Sequence, residues 1–164
     1  MQVVAKGAGY DVVKAGGANM LQGQNGKIGQ ELFTGKWKFL VKSVQRTDKY
    51  MLRYAVSKFE LEAGDNDLVI VDCRFKNGVN EAAYIYFNGL GNTALTDMEE
   101  HSFTPHYMDT DVGSAETILP GAAKDFAIVF KIPKSAEIKD LVYTIEPVNL
   151  SKWPKTDLRI SLKP

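Results

Sequence analysis

The sequence predicts an all-β protein built as an antiparallel β-sandwich, and three observations support this fold class. First, five segments alternate apolar and polar residues with a period of two, which is typical of half-buried strands. Second, clusters of Gly, Asn, Asp and Pro separate these segments. Third, helical periodicity is weak and no strand–helix–strand rhythm occurs, which favours a sandwich over an α/β fold.

The five alternating segments all lie beyond Lys36. They are KWKFLVKSV (36–44), DLVIVDCRFKN (67–77), DFAIVFKIP (125–133), DLVYTIE (140–146) and DLRISLK (157–163). In the second segment, an apolar face that includes Cys73 opposes a polar face that begins at Asp72. Turns are predicted at AGDND (63–67), KNGVN (76–80), FNGLGN (87–92) and LPGAAK (119–124).

Two segments between the predicted strands suit a short helical turn each. They are DMEEHSF at 97–103 and KSAEIKD at 134–140. We therefore expect one or two short helical turns beside the sandwich.

The N-terminal part of the chain differs from the rest, because seven of its 14 glycines fall within the first 29 residues. Glycine is costly inside helices and strands. The sequence therefore predicts an arm or irregular lead-in over residues 1–28 and a single sandwich domain over 29–164. The length of 164 residues is about that of one domain.

Composition argues against several classes of partner. Lysine plus arginine equals aspartate plus glutamate, 20 each, whereas nucleic-acid binders usually carry a basic excess. No apolar run approaches the roughly 20 residues of a membrane helix, and no signal-length apolar run opens the chain. We expect no nucleic-acid partner and no membrane insertion.

The order of three pieces resembles a known family. LVIVDCRFKNGVNEA ends in a polar turn at Asn77, AYIYFNGLGNTALTD follows, and a Leu-Pro-Gly turn at 119–121 launches a strand that closes at Pro133. This order resembles the telokin-like, immunoglobulin-like domains of bacterial secreted proteins and lipoproteins of unknown function. A Gly-x-x-Leu lead-in at 29–32 and a Leu-x-Tyr strand at 141–143 also fit. The resemblance covers roughly residues 28–147 and implies an immunoglobulin-like sandwich located outside the cytoplasm or at the cell surface.

The two histidines, His101 and His106, are candidate metal ligands together with Met108. Histidine with methionine suits copper(I), and histidine with carboxylate suits zinc. A copper-carrier site of this kind needs further soft ligands in the preceding strand, and AAYIYFNG offers none. We therefore favour an ordinary loop and expect no metal or other cofactor.

DTDVG at 109–113 looks like the opening of a calcium loop, but the third acidic ligand and the closing bidentate glutamate are absent. Solvated turn carboxylates are the favoured interpretation of Asp65, Asp67, Asp109 and Asp111, and a cluster at one end of the sandwich is the alternative. Cys73, the one cysteine, is predicted to be buried and inert.

No catalytic motif is present: the chain has no G-x-S-x-G, no P-loop and no G-x-G-x-x-G, so we expect no enzymatic activity. Long loops at 88–97 and 101–118 are the predicted contact regions. Either core packing or an exposed aromatic platform fits Tyr84 and Tyr86. The candidate interaction residues are Tyr84, Tyr86, Asn88, Asn92, His106 and Tyr107.

Two functions from different classes follow. The first is a non-catalytic module that binds a protein partner or itself, acting outside the cytoplasm of a bacterium. The second is a structural subunit of a larger assembly, such as a surface layer, a filament or a virion decoration. The initiating Met, the missing signal and the glycine-rich arm support the second, because such arms often become ordered on a neighbouring chain.

Overall fold

The computed structural model describes residues 24–89, 91–111 and 114–163. This part of the chain contains strands and turns and no helix. The strands are β1 (Asn25–Lys27), β2 (Leu32–Phe33), β3 (Trp37–Thr47), β4 (Lys49–Met51), β5 (Glu60–Glu62), β6 (Asp67–Asn77), β7 (Ala83–Tyr86), β8 (Ala94–Asp97), β9 (Ser102–Phe103), β10 (Tyr107–Asp109), β11 (Ala115–Ile118), β12 (Ala123–Ile132), β13 (Ile138–Pro147) and β14 (Thr156–Ser161).

Two sheets form the sandwich. The five-stranded sheet has the order β10-β12-β6-β3-β2, and its three long strands β12, β6 and β3 pair antiparallel over nearly their full lengths. The seven-stranded sheet runs β1-β14-β13-β7-β11, with β8 and β9 completing it beside β13. The all-β sandwich predicted from the alternating segments is therefore confirmed, since each of those segments forms one of the long strands or β14.

The inner faces of the two sheets meet in an aromatic core. Phe39 of β3 stacks on Tyr143 of β13 with ring centroids 4.5 Å apart, and Phe126 of β12 lies 5.3 Å from Phe87. Trp37 meets Trp153 edge to face at 5.5 Å. These side chains are buried because period-two alternation turns every second residue of each strand inward.

A second, smaller core lies on the outer face of the five-stranded sheet. The β4–β5 hairpin packs there, and it buries one half of that face. The residues of this core are Tyr50, Leu52, Ala55 and Ala63 from the hairpin with Leu68, Ile70, Ala127 and Val129 from the sheet. The polar outer face predicted for β6 is therefore wrong for its first half, where even Asp72 is only 6% exposed.

The two predicted helical turns are not observed. At 97–103 the carboxylate of Asp97 accepts the amides of Glu99 and His101 at 3.0 and 2.8 Å, and Glu100 has a φ of 69°, which a right-handed helix excludes. At 134–140 the Arg46 guanidinium donates hydrogen bonds to the carbonyls of Pro133, Lys134 and Ala136. Both segments therefore form turns that lead into strands.

The predicted lead-in lies partly outside the described residues, which begin at Gln24. Within the described part, Asn25–Lys27 form β1, which pairs parallel with β14 at the margin of the seven-stranded sheet. A chain lacking residues 1–28 would therefore lose a strand, whereas one beginning at Gln24 would keep every described element.

The end of β6 is tied to the other sheet by Asn77, whose side chain is fully buried. Its amide nitrogen donates to the carbonyls of Glu81 and Ile118, both at 2.9 Å, and its side-chain oxygen accepts the Val79 amide. The neighbouring Leu-Pro-Gly turn has Gly121 at a φ of 76°, as the predicted turn requires.

Candidate interaction surface

Three exposed apolar side chains on the five-stranded side lie where β4 turns into β5. Val56 is 81% exposed, Met51 52% and Phe59 43%. We call residues 51–59 the hairpin tip. Phe59 rests edge to face on Tyr107 of β10, with ring centroids 5.6 Å apart, so the tip joins the predicted interaction residue Tyr107 in one surface.

The hairpin tip is fastened to the sheet by one carboxylate, that of Asp109 on β10, which is fully buried. One oxygen accepts the amides of Tyr54 and Ala55, each at 3.0 Å. The other accepts the amide of Arg53 at 2.9 Å and the hydroxyl of Tyr50 at 2.5 Å. Three consecutive backbone N–H groups thus converge on a single side chain, which fixes the conformation of the tip.

Tyr50 completes this arrangement. Its ring belongs to the second core, and burial together with the bond to the Asp109 carboxylate raises the pKa of its hydroxyl well above the usual range. The hydroxyl therefore remains a hydrogen-bond donor to Asp109 at any physiological pH. Leu52 and Phe59 close the loop through a backbone hydrogen bond of 3.1 Å.

Beside the tip, the half of the outer face that the hairpin leaves uncovered carries four cationic side chains, and Arg53 of the tip lies next to them. We call this surface the cationic strip; its members are Lys38, Lys42, Arg53, Arg74 and Lys76. The Arg74 guanidinium bonds both oxygens of Asp125, at 2.9 and 3.1 Å, and Lys42 bonds one at 3.0 Å. The hydrogen bonds from Arg74 have the largest effect on Asp125, and Lys42 adds to it. Together they outweigh burial and lower the pKa of Asp125 to about 2.

The candidate metal ligands lie in different surroundings. His101 is exposed, and its Nδ1 lies 2.9 Å from the Asp97 carboxylate. His106 is exposed beside an open groove of about 560 Å³ formed with Phe103, Pro105 and Lys131 among others. Met108 instead packs against the aromatic core. Among the described residues, no group of three His, Cys, Asp or Glu is placed to hold a metal ion.

The four carboxylates that could have clustered at one end of the sandwich have separate partners or, for Asp65, none among the described residues. Asp109 holds the hairpin tip, Asp111 pairs with Lys124, and Asp67 bonds Arg46 and Lys134 at 2.8 and 3.0 Å. Asp65 is exposed in the turn before β6. The favoured interpretation as solvated turn carboxylates is wrong for Asp109, because its side chain replaces solvent for three backbone amides.

Two of the remaining candidate interaction residues lie on the seven-stranded sheet. Tyr84 and Tyr86 point outward from the seven-stranded sheet, with Tyr84 51% exposed, while their neighbour Ile85 is fully buried. Asn92 donates from its side chain to Asp157 at 2.8 Å, and the buried side-chain oxygen of Asn88 has no hydrogen-bond partner among the described residues. The predicted set is thus divided between two outer faces.

The loop that contains Asn92 is held close to β13 by Gly91. A side chain at Gly91 would meet Thr144 at 2.7 Å, and its φ of 73° suits glycine. The hydroxyl of Thr144 accepts the Asn92 amide and donates to Asp157. Gly91 and Asn92 are therefore held against β13.

The predicted burial of Cys73 is confirmed. Its side chain is fully buried between the sheets, and burial raises the pKa of the thiol well above its usual range. A thiol in this state is neither a nucleophile nor a metal ligand at neutral pH.

The hairpin tip and Asp109 were not predicted as a unit. A signal for the tip exists in YMLRYAVSKF at 50–59, where aromatic and aliphatic residues follow one another without alternation. Nothing in the sequence pairs that segment with Asp109, because the two lie more than 50 residues apart.

A family comparison decides the membership of the chain. Residues 26–152 match the family described as Domain of unknown function (DUF4352). The chain belongs to this family. The matched range contains the hairpin tip and Asp109 and ends before β14, and no curated protein matches the chain.

Among solved structures, the yjhA protein from Bacillus subtilis is similar, with 21% identity and a TM-score of 0.58 over 84% of this chain and 99% of that one. An uncharacterized β-sandwich protein from Clostridium difficile 630 has 10% identity and a TM-score of 0.46, covering 91% and 100% of the two chains. A conserved hypothetical protein from Bacillus anthracis has 15% identity and a TM-score of 0.48, covering 80% and 94%. The likeness to yjhA supports the DUF4352 member's fold and carries no activity with it.

Within the part of the chain that the structure describes, no helix is long and apolar enough to cross a membrane.

Proposed function

We propose that this DUF4352 protein is a non-catalytic protein-binding module that acts outside the cytoplasm of a bacterium, and that the hairpin tip makes the principal contact. Within β-sandwich proteins we place it with the telokin-like, immunoglobulin-like domains. The support for that placement is the Leu-Pro-Gly turn at 119–121 beside the buried Asn77. The extracytoplasmic location rests on the same resemblance.

One observation carries the binding proposal: the tip exposes apolar side chains while Asp109 holds its backbone from beneath. Val56 and Met51 project into solvent from a loop whose backbone Asp109 fixes at three successive amides. Exposed apolar side chains cost solubility, and fixing a loop before binding lowers the entropy lost on association. Both features are typical of a surface that is selected for a contact.

The site residues support binding rather than catalysis. The buried thiol of Cys73 has a raised pKa, and the Asp109 carboxylate is fully used by donors of its own chain. A protein whose thiol is sealed between two sheets is also suited to an oxidising exterior, since Cys73 cannot pair with another chain while the fold is intact.

The test is site-specific crosslinking from the tip. A photoreactive phenylalanine analogue replaces Val56 in one protein and Leu150, which is 47% exposed on another part of the surface, in a matched control. In extracts of the native organism, the probe at position 56 should trap one protein species repeatedly. The Phe59→Ser change should abolish that product, and Leu150→Ser should not. Equal products from both probe positions would exclude the tip as the contact.

A structural subunit of a larger assembly is the second candidate. The observation that favours it is the position of β1, which brings the start of the described chain to a sheet margin, where strands of a neighbouring chain add. Light scattering over a range of concentrations should then show a full-length oligomer that becomes monomeric when the chain begins at Gln24. A monomer in both cases removes this candidate.

A further inference from the structure

The cationic strip lies next to the hairpin tip, and it has more cationic side chains than carboxylates to pair with them. Along β3 and β6, Lys38 lies directly opposite Lys76, and Leu40 lies opposite Arg74. Like charges that face each other across two strands destabilise a sheet. Neither Lys38 nor Lys76 has an ion-pair partner among the residues that the structure describes.

The acidic groups within the strip are already engaged. Asp125 is shared by Arg74 and Lys42, and Asp72 accepts the Tyr54 hydroxyl at 2.7 Å as well as Arg53 at 3.3 Å. Glu31 also acts electrostatically on Arg74. The side chains of Arg53 and Arg74 are nevertheless about half exposed to solvent, at 58% and 48%.

Apolar side chains flank the strip at both ends. At the sheet edge, Phe33 is 50% exposed, and the Lys38 ammonium lies 5.8 Å from the centre of its ring. At the other end, Arg53 belongs to the hairpin tip, between Met51 and Val56. The uncovered surface therefore presents an apolar anchor, a run of cations and a second apolar anchor.

We propose that the cationic strip and the hairpin tip together bind an acidic polypeptide segment of the partner, with carboxylates over Lys38 and Lys76 and an apolar residue at the tip. This inference rests on the proposed function and adds the chemistry of the partner. A carboxylate between the two ammonium groups relieves their mutual repulsion, and the flanking apolar side chains fix the direction of the segment.

A polypeptide fits this surface better than a phosphate polymer or an anionic membrane. Glu60 and Glu62 lie on β5 of the hairpin and repel a dense array of phosphates. A segment with a few spaced carboxylates avoids these groups, whereas nucleic acid has a charge about every 1.7 Å along its axis.

The experiment uses a fluorescent synthetic peptide of about 12 residues, enough to cross the strip at the rise of an extended chain. It has leucine at both ends and glutamates spaced by serine between them; a second peptide has glutamine in place of every glutamate. Fluorescence anisotropy with the full chain should show binding of the glutamate peptide with a Kd below about 1 mM and at least tenfold weaker binding of the glutamine peptide. Added salt should weaken the first interaction.

Matched variants locate the binding. The pair Lys38→Gln with Lys76→Gln should weaken binding of the glutamate peptide by tenfold or more without lowering the thermal midpoint. The control pair, Lys139→Gln with Lys155→Gln, changes two exposed lysines elsewhere by the same net charge and should leave binding unchanged.

Three results would overturn the proposal: no binding of the glutamate peptide up to about 1 mM, equal losses in both lysine pairs, or tighter binding of duplex DNA or phosphatidylglycerol vesicles through Lys38 and Lys76. The crosslinks from position 56 are scored separately. Peptide binding without tip crosslinks would reject the proposed function and leave an acidic-peptide site on the strip. Crosslinks without peptide binding would support the proposed function and reject the acidic-peptide site.

Discussion

The aromatic core between the sheets and the small core beneath the hairpin are stabilised by different means. Between the sheets, rings such as Phe39, Phe126 and Tyr143 contact one another over a large buried area. Beneath the hairpin, a few aliphatic side chains are supplemented by the buried carboxylate of Asp109. The first region is stabilised by buried apolar area. The second depends on one carboxylate that accepts the hydrogen bonds that the loop amides would otherwise make to solvent.

This difference separates overall stability from the preparation of a binding surface. Burial of apolar area stabilises any compact arrangement in proportion to the area, without direction. Hydrogen bonds from Arg53, Tyr54 and Ala55 to one carboxylate specify a single backbone conformation. We therefore expect core substitutions to unfold the molecule and Asp109 substitutions to loosen mainly the hairpin tip.

The largest effect is expected from Phe126→Ala. Phe126 is fully buried and contacts three other rings, so the change leaves a cavity that joins both sheets. The free energy of unfolding should fall by about 3–5 kcal/mol, measured by urea denaturation. Phe59→Ala, at a ring that is 43% exposed, is the control and should cost less than about 1 kcal/mol. Similar losses at both positions would contradict the contrast between core and tip.

The next effect is expected from Asp109→Asn, which keeps the shape and removes one acceptor oxygen. Whichever way the new amide points, at least one of the N–H groups of residues 53–55 then faces an NH₂ group instead of an oxygen. The loss should be about 2–3 kcal/mol. Hydrogen exchange should show lost protection at those three amides and retained protection in β12.

Asp65→Asn is the matched control for that change, because Asp65 is an exposed aspartate at the base of the same hairpin. It should leave stability and exchange unchanged. If Asp109→Asn lowered protection equally in β12 and in the tip, the carboxylate would belong to the global fold and not to the preparation of the tip.

A smaller effect is expected from Tyr50→Phe, which removes only the 2.5 Å hydroxyl bond to Asp109 and keeps the ring in the second core. A hydrogen bond to a charged group contributes about 1.5–3 kcal/mol, and the three amides remain as donors, so the loss should lie at the lower end of that range. Urea denaturation measures it, and Tyr84→Phe, at an exposed ring, is the control. Stability equal to that of Asp109→Asn would mean that the hydroxyl, rather than the amides, holds the tip.

The fold was predictable where burial follows alternation. Residues 37–41, 126–132 and 141–145 are each buried on the predicted inward face. The apolar run LVIV at 68–71 already indicated that the outer face of β6 is covered there, because a strand buried on both faces loses its alternation. What covers that face was not predictable, because the hairpin contributes short strands of only three residues.

The candidate site was less predictable than the fold. Tyr107 was identified as an interaction residue, but its partner Phe59 was not, since their contact depends on how the hairpin docks. Asp109 was interpreted as a turn carboxylate because it opens the stretch DTDVG at 109–113. Its burial follows from the pairing of β10 with β12, which no local pattern indicates.

The ion pair between His101 and Asp97 adds a third, smaller source of stability to this comparison, and its contribution depends on pH. His101 lies on the surface, and the hydrogen bond and the charge of Asp97 raise the pKa of its imidazole above the usual value. Burial acts to raise the pKa of Asp97, but the His101 ring and the amides of His101 and Glu99 outweigh it and lower that pKa.

The sign of the pH dependence follows from these two directions. The stabilisation from the raised pKa of His101 is complete below its unfolded value near 6.5 and is lost as pH rises through the folded pKa. The stabilisation from the lowered pKa of Asp97 is present above its unfolded value near 3.8 and is lost as pH falls through the folded pKa. The pair therefore stabilises most between about pH 4 and pH 6.5.

The prediction concerns His101→Gln, which keeps a hydrogen-bond donor and removes the charge. Its thermal midpoint should fall below that of the unchanged protein at about pH 5–6, and the gap should close by about pH 9, where the imidazole is neutral. His106→Gln is the control, because His106 is exposed and its ring forms no ion pair with a described carboxylate. A gap that stayed constant from pH 5 to 9 would show that His101 acts by packing on Phe103, whose ring lies 6.5 Å away, and not by charge.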